Sequence, residues 1–207
     1  MRNACRFLLV TIMLPALIAS CNTNPSAPSS VSLTTGPAPA STPPAGPALA
    51  PTATAIPLTP VDELGRTGNP MDVDLATYRL VVDGLVERPL SLSYDELVAY
   101  PAVSEVLKLD CPGFFIDYAE WTGPLVRTLL EEAGIKPGAS EVVFYDGHSI
   151  PYKQVLSLET ALRDDTLLAY KVNGVTLPVE HGYPLRLAVG SQVGSYWVKW
   201  LFRIEVQ

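Results

Sequence analysis

The chain carries three cysteines and two histidines, and their placement limits its chemistry. Cys5 and Cys21 lie in an N-terminal leader-like stretch, which leaves Cys111 as the single cysteine of the folded part. A lone thiol has no partner for an intrachain disulfide, and in an oxidising compartment it needs protection by burial or by a metal. Far along the chain stand His181-Gly-Tyr-Pro-Leu-Arg186 and Tyr196-Trp-Val-Lys-Trp-Leu201, which supply His181, Arg186 and Lys199. One thiol together with such a basic set points to an anionic, metal-carrying cofactor. Plainer readings exist for each residue: an inert buried cysteine for Cys111, a turn cap for His181, a surface ion pair for Arg186, a solvated lysine for Lys199. With only His148 and His181, a multi-histidine metal site within one chain is excluded. There is no CxxCH for covalent haem, and no glycine-rich phosphate fingerprint. Cys111 has neither a resolving cysteine nor an adjacent histidine, so a thiol enzyme is poorly supported.

These residues must be positioned by short elements. Tyr78–Asp83 alternates as a strand and is followed by Gly84. Ser93 and Glu96 have capping-box spacing for a short helix reaching Tyr100. Lys108–Cys111 is an extended segment running into a Pro-Gly turn, so the thiol is expected at a strand end. Thr122 is expected to cap a second helix with Pro124 in its first turn, an apolar stripe of Leu125, Leu129 and Ala133, and Gly134 as its stop. Glu141–Tyr145 reads as a strand ending at the Asp146-Gly147 turn, Leu158–Leu162 as a short helix, and Leu185–Val189 as a strand. Leu167–Val172 runs into Asn173-Gly174, a tight-hairpin signal, with Val175–Val179 returning. Alternation across residues 196–206 predicts one long final strand with Trp200 on the apolar face and Lys199 on the other. The pattern is α+β, with a mixed or antiparallel sheet and a few short helices.

Residues before 61 concern location. Arg2 and Arg6 precede an apolar run over Phe7–Ile18, too short for a comfortable permanent span. The run ends in Leu17-Ile-Ala-Ser-Cys21, which resembles a bacterial lipoprotein signal. The resemblance implies a signal over 1–21, lipidation of Cys21 and an extracytoplasmic protein anchored to the cell membrane or outer membrane. A plain cleavable signal is the alternative. Residues 22–60 hold no charged side chain and are dominated by Pro, Ala, Ser and Thr. Such a segment cannot bury enough apolar area to fold, and reads as a disordered tether. Residues 61–207 suffice for one domain. A formal net charge of -7 argues against a nucleic-acid partner.

The ordered set Leu80-Val-Val-Asp-Gly-Leu-Val-Glu-Arg-Pro89, Leu92-Ser-Tyr-Asp-Glu-Leu97, Leu109-Asp-Cys111, Trp121-Thr-Gly-Pro-Leu125, Asp146-Gly147, Leu168-Ala-Tyr-Lys-Val-Asn-Gly174, His181–Arg186 and Val198-Lys-Trp-Leu201 resembles the molybdopterin-binding oxidoreductase domain of the sulfite oxidase superfamily. Bacterial methionine sulfoxide reductase catalytic subunits belong to that superfamily. The resemblance implies a sulfite-oxidase-like α+β fold and a molybdenum-molybdopterin cofactor. It assigns Cys111 as the catalytic metal ligand and places His181, Arg186 and Lys199 around the pterin and its phosphate. Gly182 and Gly190, with Gly194 as a further candidate, would admit close backbone approach. A functional role for the Asp146-Gly147 turn, pocket-mouth roles for Tyr118, Trp121 and Tyr145, and shielding by Phe114 and Phe115 complete the expected site. His148 matches no ligand position. No arginine adjoins Cys111, which favours a neutral substrate such as a sulfoxide over an anion. The implied activity is two-electron or oxygen-atom transfer on a small molecule, with electrons passed to or from an external haem or quinone-linked partner. The N-terminus lacks a twin-arginine pair, which keeps a second reading open: a cofactor-free binding or envelope protein on the same fold.

Overall fold

The structure is a computed structural model that describes residues 56–207. The leader, Cys21 and most of the expected tether lie outside the described residues. Thr59 already joins the domain: its amide donates to the Tyr118 carbonyl (2.7 Å), and its own carbonyl accepts from Asn173 Nδ2 (2.9 Å). The chain is thus fastened just ahead of the expected boundary at 61.

Along the chain, β1 (Leu80–Gly84) buries Leu80 and Val82, and β2 (Leu90–Leu92) folds back on it. Helix α1 (Tyr94–Ala99) starts where expected. Ser93 Oγ accepts from the Glu96 amide, and the Glu96 carboxylate accepts from the Ser93 amide, closing the capping box. β3 (Ala102–Cys111) and β4 (Phe115–Pro124) form a long hairpin whose last pair is Cys111 opposite Phe115.

Thr122 does not cap a helix. It lies within β4, its hydroxyl 2.8 Å from Ser104 Oγ across the ladder. The backbone there is committed to the sheet because Gly123 lies directly beneath the Leu168 carbonyl, where a side chain would collide. Helix α2 (Val126–Ala133) therefore begins after Leu125, without a side-chain cap. It ends at Gly134 (φ 74°), as its sequence predicts.

β5 (Glu141–Asp146) and β6 (Lys153–Ser157) pair antiparallel, and α3 (Leu158–Ala161) follows. The expected 167–172 strand divides at Tyr170 into β7 (Thr166–Ala169) and β8 (Lys171–Val172). The first turns to a different partner from the second. Asn173 (φ 47°) and Gly174 (φ 78°) make the predicted tight turn into β9 (Val175–Thr176). β10 (Arg186–Val189) pairs with β7, and β11 (Leu201–Val206) closes the chain.

Three sheets result: β2-β1-β11-β5-β6, with β1 and β11 parallel; β3-β4-β8-β9; and the β7-β10 pair. The core between them is led by Trp121, Tyr78, Phe144 and a set of buried leucines. Mixed sheets with few short helices agree with the expected α+β, sulfite-oxidase-like fold.

The last strand differs from its alternation pattern. Residues 194–196 form a 3₁₀ turn, and β11 starts only at Leu201. Trp200 adopts φ 50°, an unusual conformation for a bulky residue. Its indole donates to the Val179 carbonyl (2.9 Å), its amide to the Gly182 carbonyl (3.3 Å), and its own carbonyl accepts from the Gly147 amide (3.0 Å). These tertiary bonds break the two-residue period. Lys199 and Trp200 consequently serve one cavity, with Lys199 Nζ 5.5 Å from the Trp200 ring, instead of facing opposite ways.

Candidate cofactor site

A cavity of about 720 Å³ opens where four connections converge. Cys111, Phe114 and Phe115 come from the β3–β4 turn; Asp146, His148, Ile150 and Tyr152 come from the β5–β6 connection. Arg186 begins β10, and Gly194, Trp197, Lys199 and Trp200 precede β11. The segment Gly65–Asn69 supplies the remaining wall.

Cys111 is a free, partly buried thiol at the end of β3, and Gly113 (φ 83°) makes the turn behind it. Gly194 backs directly onto the sulfur, leaving no room there for a Cβ. Burial raises the thiol pKa, while Arg186 and Lys199 pull it down.

Arg186 is 3% exposed, and its guanidinium carbon lies 4.9 Å from the Trp121 ring and 5.1 Å from the Trp197 ring, two indoles that meet edge-to-face. Nη1 donates to the His181 carbonyl (3.2 Å), whereas Nε has no hydrogen-bond partner. No carboxylate pairs with it among the described residues. Burial draws its pKa down to about 10. Beside it, His181 is 1% exposed and both ring nitrogens are unsatisfied. Burial, then Arg186 and Lys199, lower its pKa to about 4. Lys199 Nζ donates to the Thr67 and Glu180 carbonyls, each at 2.7 Å, and burial followed by Arg186 lowers its pKa to about 7.

Buried donors without partners are rare because each forfeits its hydration. Arg186 Nε, the Trp121 indole Nε1 and the one protonated nitrogen of the neutral His181 ring are such donors, and with the unpaired guanidinium they call for an anion with acceptor oxygens. The protein offers one thiol, and no group of three His, Cys, Asp or Glu that could hold a metal occurs among the described residues. A metal here would have to arrive with most of its ligands. The residues present therefore fit an anionic group that brings its own sulfur donors and phosphate, as molybdopterin does.

The expected residues are distributed unevenly. Cys111, Arg186 and Lys199 line the cavity together, and Gly194 joins them. Gly182 (φ 111°) sits behind, where a Cβ would lie 3.0 Å from Lys199 Cα and 3.3 Å from Arg186 Cβ. It lets the His181 turn press against both cations. Gly190 lies elsewhere: its amide donates to the Asp165 carbonyl (2.8 Å), and it packs on Leu107. Trp121 is core beneath Arg186. Tyr118 is paired with Lys108 along the hairpin, and the Tyr145 hydroxyl donates to Glu205 (2.6 Å).

Sequence reasoning missed three contributions. The Gly65–Asn69 wall carries no motif. Trp197 and Trp200 were hidden by the assumed strand. The Asp146–His148 pair shows only as two polar residues flanking a turn glycine. The basic residues absent from the sequence neighbourhood of Cys111 are supplied in space by Arg186 and Lys199.

The family model described as oxidoreductase molybdopterin binding domain matches residues 67–207. Sulfite oxidase of Gallus gallus is 35% identical over 185 residues, covering 72% of this chain and 39% of that protein. The protein-methionine-sulfoxide reductase catalytic subunit MsrP of Gluconobacter oxydans is 31% identical over 145 residues, covering 62% of this chain and 46% of the relative. Among solved structures, the sulfane dehydrogenase SoxCD of Paracoccus pantotrophus superposes with a TM-score of 0.63 at 27% identity, covering 72% of this chain and 46% of that one. The chain spans less than half the length of each of these relatives.

Proposed function

Because the chain belongs to the oxidoreductase molybdopterin binding domain family, we propose that it is a lipid-anchored, extracytoplasmic molybdopterin-dependent oxidoreductase transferring an oxygen atom to or from a small neutral substrate such as a sulfoxide. The observation that carries this reading is the cavity shared by the free thiol of Cys111 and the buried, unpaired Arg186, which is bonded to the turn that carries the unsatisfied His181 ring. When bound, the cofactor supplies a two-electron metal centre already carrying dithiolene sulfur. Cys111 provides a soft thiolate ligand suited to such a metal. Arg186, held beside Trp121 and Trp197, would offer its guanidinium to phosphate oxygens. His181 adds a neutral imidazole, held neutral by burial. Lys199 ties the Thr67 and Glu180 backbones together across the site, so its charge is fixed in place.

A neutral substrate is supported by the cavity's apolar rim, where Phe114 is 83% and Ile150 89% exposed. The two buried cations bond to backbone carbonyls, Arg186 to His181 and Lys199 to Thr67 and Glu180. Electron exchange would use an external haem or quinone-linked protein. Anchoring is supported by Leu17–Cys21 and the uncharged spacer after it.

Purification from the native host with separation of membrane and soluble fractions tests the reading. The expected result is membrane-bound protein with near-stoichiometric molybdenum and releasable pterin. Metal-free protein from a host that loads other molybdoenzymes would instead support a cofactor-free binding protein, and soluble, unlipidated protein would overturn the anchor.

A further inference from the structure

The β5–β6 connection carries a second constellation, apart from the thiol and the basic set. Asp146 closes β5 with its side chain 6% exposed. Its Oδ1 accepts from the Tyr152 amide (2.9 Å) and the His148 amide (3.2 Å), and its Oδ2 lies 2.7 Å from His148 Nδ1. A carboxylate oxygen facing Nδ1 makes that nitrogen the donor, which leaves Nε2 as the free nitrogen of the ring. The imidazole stands edge-on to Trp200, with centroids 5.5 Å apart and planes at 84°. Its side chain keeps 35% exposure. The loop is held at its far end by Tyr152, whose hydroxyl donates to the Ser195 carbonyl. Ser195 follows Gly194, the residue that backs the Cys111 sulfur. His148 is thus a preoriented ring on the same cavity as the thiol, tied to the thiol's own support.

Several other proton-bearing groups of the cavity are engaged by neighbours: Lys199 donates to two carbonyls, Arg186 Nη1 to the His181 carbonyl, the Tyr152 hydroxyl to the Ser195 carbonyl, and both Asp146 oxygens accept. Among the described residues the His148 ring makes no hydrogen bond beyond that to Asp146. Its partial exposure gives it a route to exchange protons with solvent.

We propose that His148, oriented by Asp146, is the catalytic residue that carries protons to and from the substrate oxygen. The inference rests on the oxygen-transfer reading above. In the reducing direction the balance is R2SO + 2 H⁺ + 2 e⁻ → R2S + H2O. The S–O bond breaks, sulfur is reduced by two electrons from an external haem or quinol donor, and the oxygen leaves as water. His148 Nε2 takes a proton from solvent, the resulting imidazolium donates it from Nε2 to that oxygen and returns to the Nδ1–H tautomer, and a second such cycle delivers the second proton. Oxidation runs the same path backwards, with Nε2 accepting protons from water. The titratable and charged groups around it are Asp146 on its own connection, together with Lys199, Arg186, Cys111 and Tyr152 of the shared cavity.

The test compares wild-type and His148→Gln holoprotein from the native host, using dimethyl sulfoxide and reduced viologen. Molybdenum content, KM and kcat are followed across pH. The expected variant keeps its molybdenum and its KM within about threefold but loses about 10²–10⁴-fold in kcat. It also lacks the wild type's decline in kcat with rising pH. Nitrogen NMR of the two histidines supplies a readout independent of turnover: His148 should show the Nδ1–H tautomer, lost in Asp146→Asn. A variant with wild-type kcat and pH profile, or an Nε2–H tautomer in the wild type, overturns the assignment alone. Wild-type protein that holds no molybdenum overturns the functional reading and this inference with it.

Discussion

The two sides of the cavity solve opposite electrostatic problems. On the side of β10 and the turn before it, Arg186 and His181 are almost wholly buried and leave three nitrogens without partners. On the β5–β6 side, the buried Asp146 carboxylate is fully occupied by two amides and an imidazole. The first arrangement is costly in the ligand-free protein and becomes favourable when an anion supplies acceptors. The second is satisfied from within, so it serves to aim His148 and needs no ligand to be stable. The difference teaches how to separate a holding site from a working one: unmet donors mark where something must bind, and met ones mark a side chain fixed for use.

Removing the thiol should have the largest effect. Cys111→Ala is expected to lose more than about 100-fold in molybdenum retention, beyond what loss of an outer-shell partner causes, with circular dichroism and Tm near wild type. Equal metal in variant and wild type, measured by elemental analysis, would remove Cys111 as the ligand.

Next, the two sides should respond with opposite signs. In ligand-free protein, Arg186→Met should leave stability unchanged or raise it by about 1–4 kcal/mol, because an unpaired buried charge is replaced by an apolar chain of similar length. The same change should weaken cofactor binding by roughly 2–5 kcal/mol, the usual loss for one partner of a buried charged contact. Asp146→Ala should instead destabilise the ligand-free protein by about 1–3 kcal/mol, since two amides and an imidazole lose their acceptor. Denaturant unfolding checks both, and changes of the same sign would break the contrast.

The contrast also extends to the pH dependence of the ligand-free protein. His181 titrates near 4 in the fold against an ordinary 6.5. Between those values the unfolded chain binds the proton and the native one does not, so stability falls as pH drops from about 6.5 toward 4. Lys199, lowered from 10.5 to about 7, acts in the alkaline window. There the unfolded chain again holds the extra proton, so stability rises with pH from about 7 to 10.5. His181→Gln should lack the acid loss, seen as a flatter Tm between pH 4 and 6.5, and bound cofactor should reshape both limbs.

Legibility from sequence tracked the range of the interactions. The Ser93–Glu96 box, the Gly134 stop and the Asn173-Gly174 turn were readable because each is completed within a few residues. Cys111 at a strand end was readable because the Pro-Gly turn follows it directly. Thr122 misled because a sound local cap was overridden by pairing with Ser104 and the close approach of Leu168 to Gly123. The Lys199–Trp200 alternation misled because Trp200 is held at positive φ by bonds to Val179, Gly182 and Gly147.

By itself, the sequence determined the α+β composition, the family and the candidate set of Cys111, His181, Arg186 and Lys199: a lone cysteine and widely spaced basic motifs are matters of residue type and order. Only the tertiary structure decided which residues share the cavity. It brought Arg186 and Lys199 to Cys111, sent Gly190 away, added residues 65–69 to the cavity wall and turned His148 onto Asp146 beside Trp200. The reason is physical: each of these placements depends on hydrogen bonds or packing between segments far apart in the chain, which no local period or motif encodes.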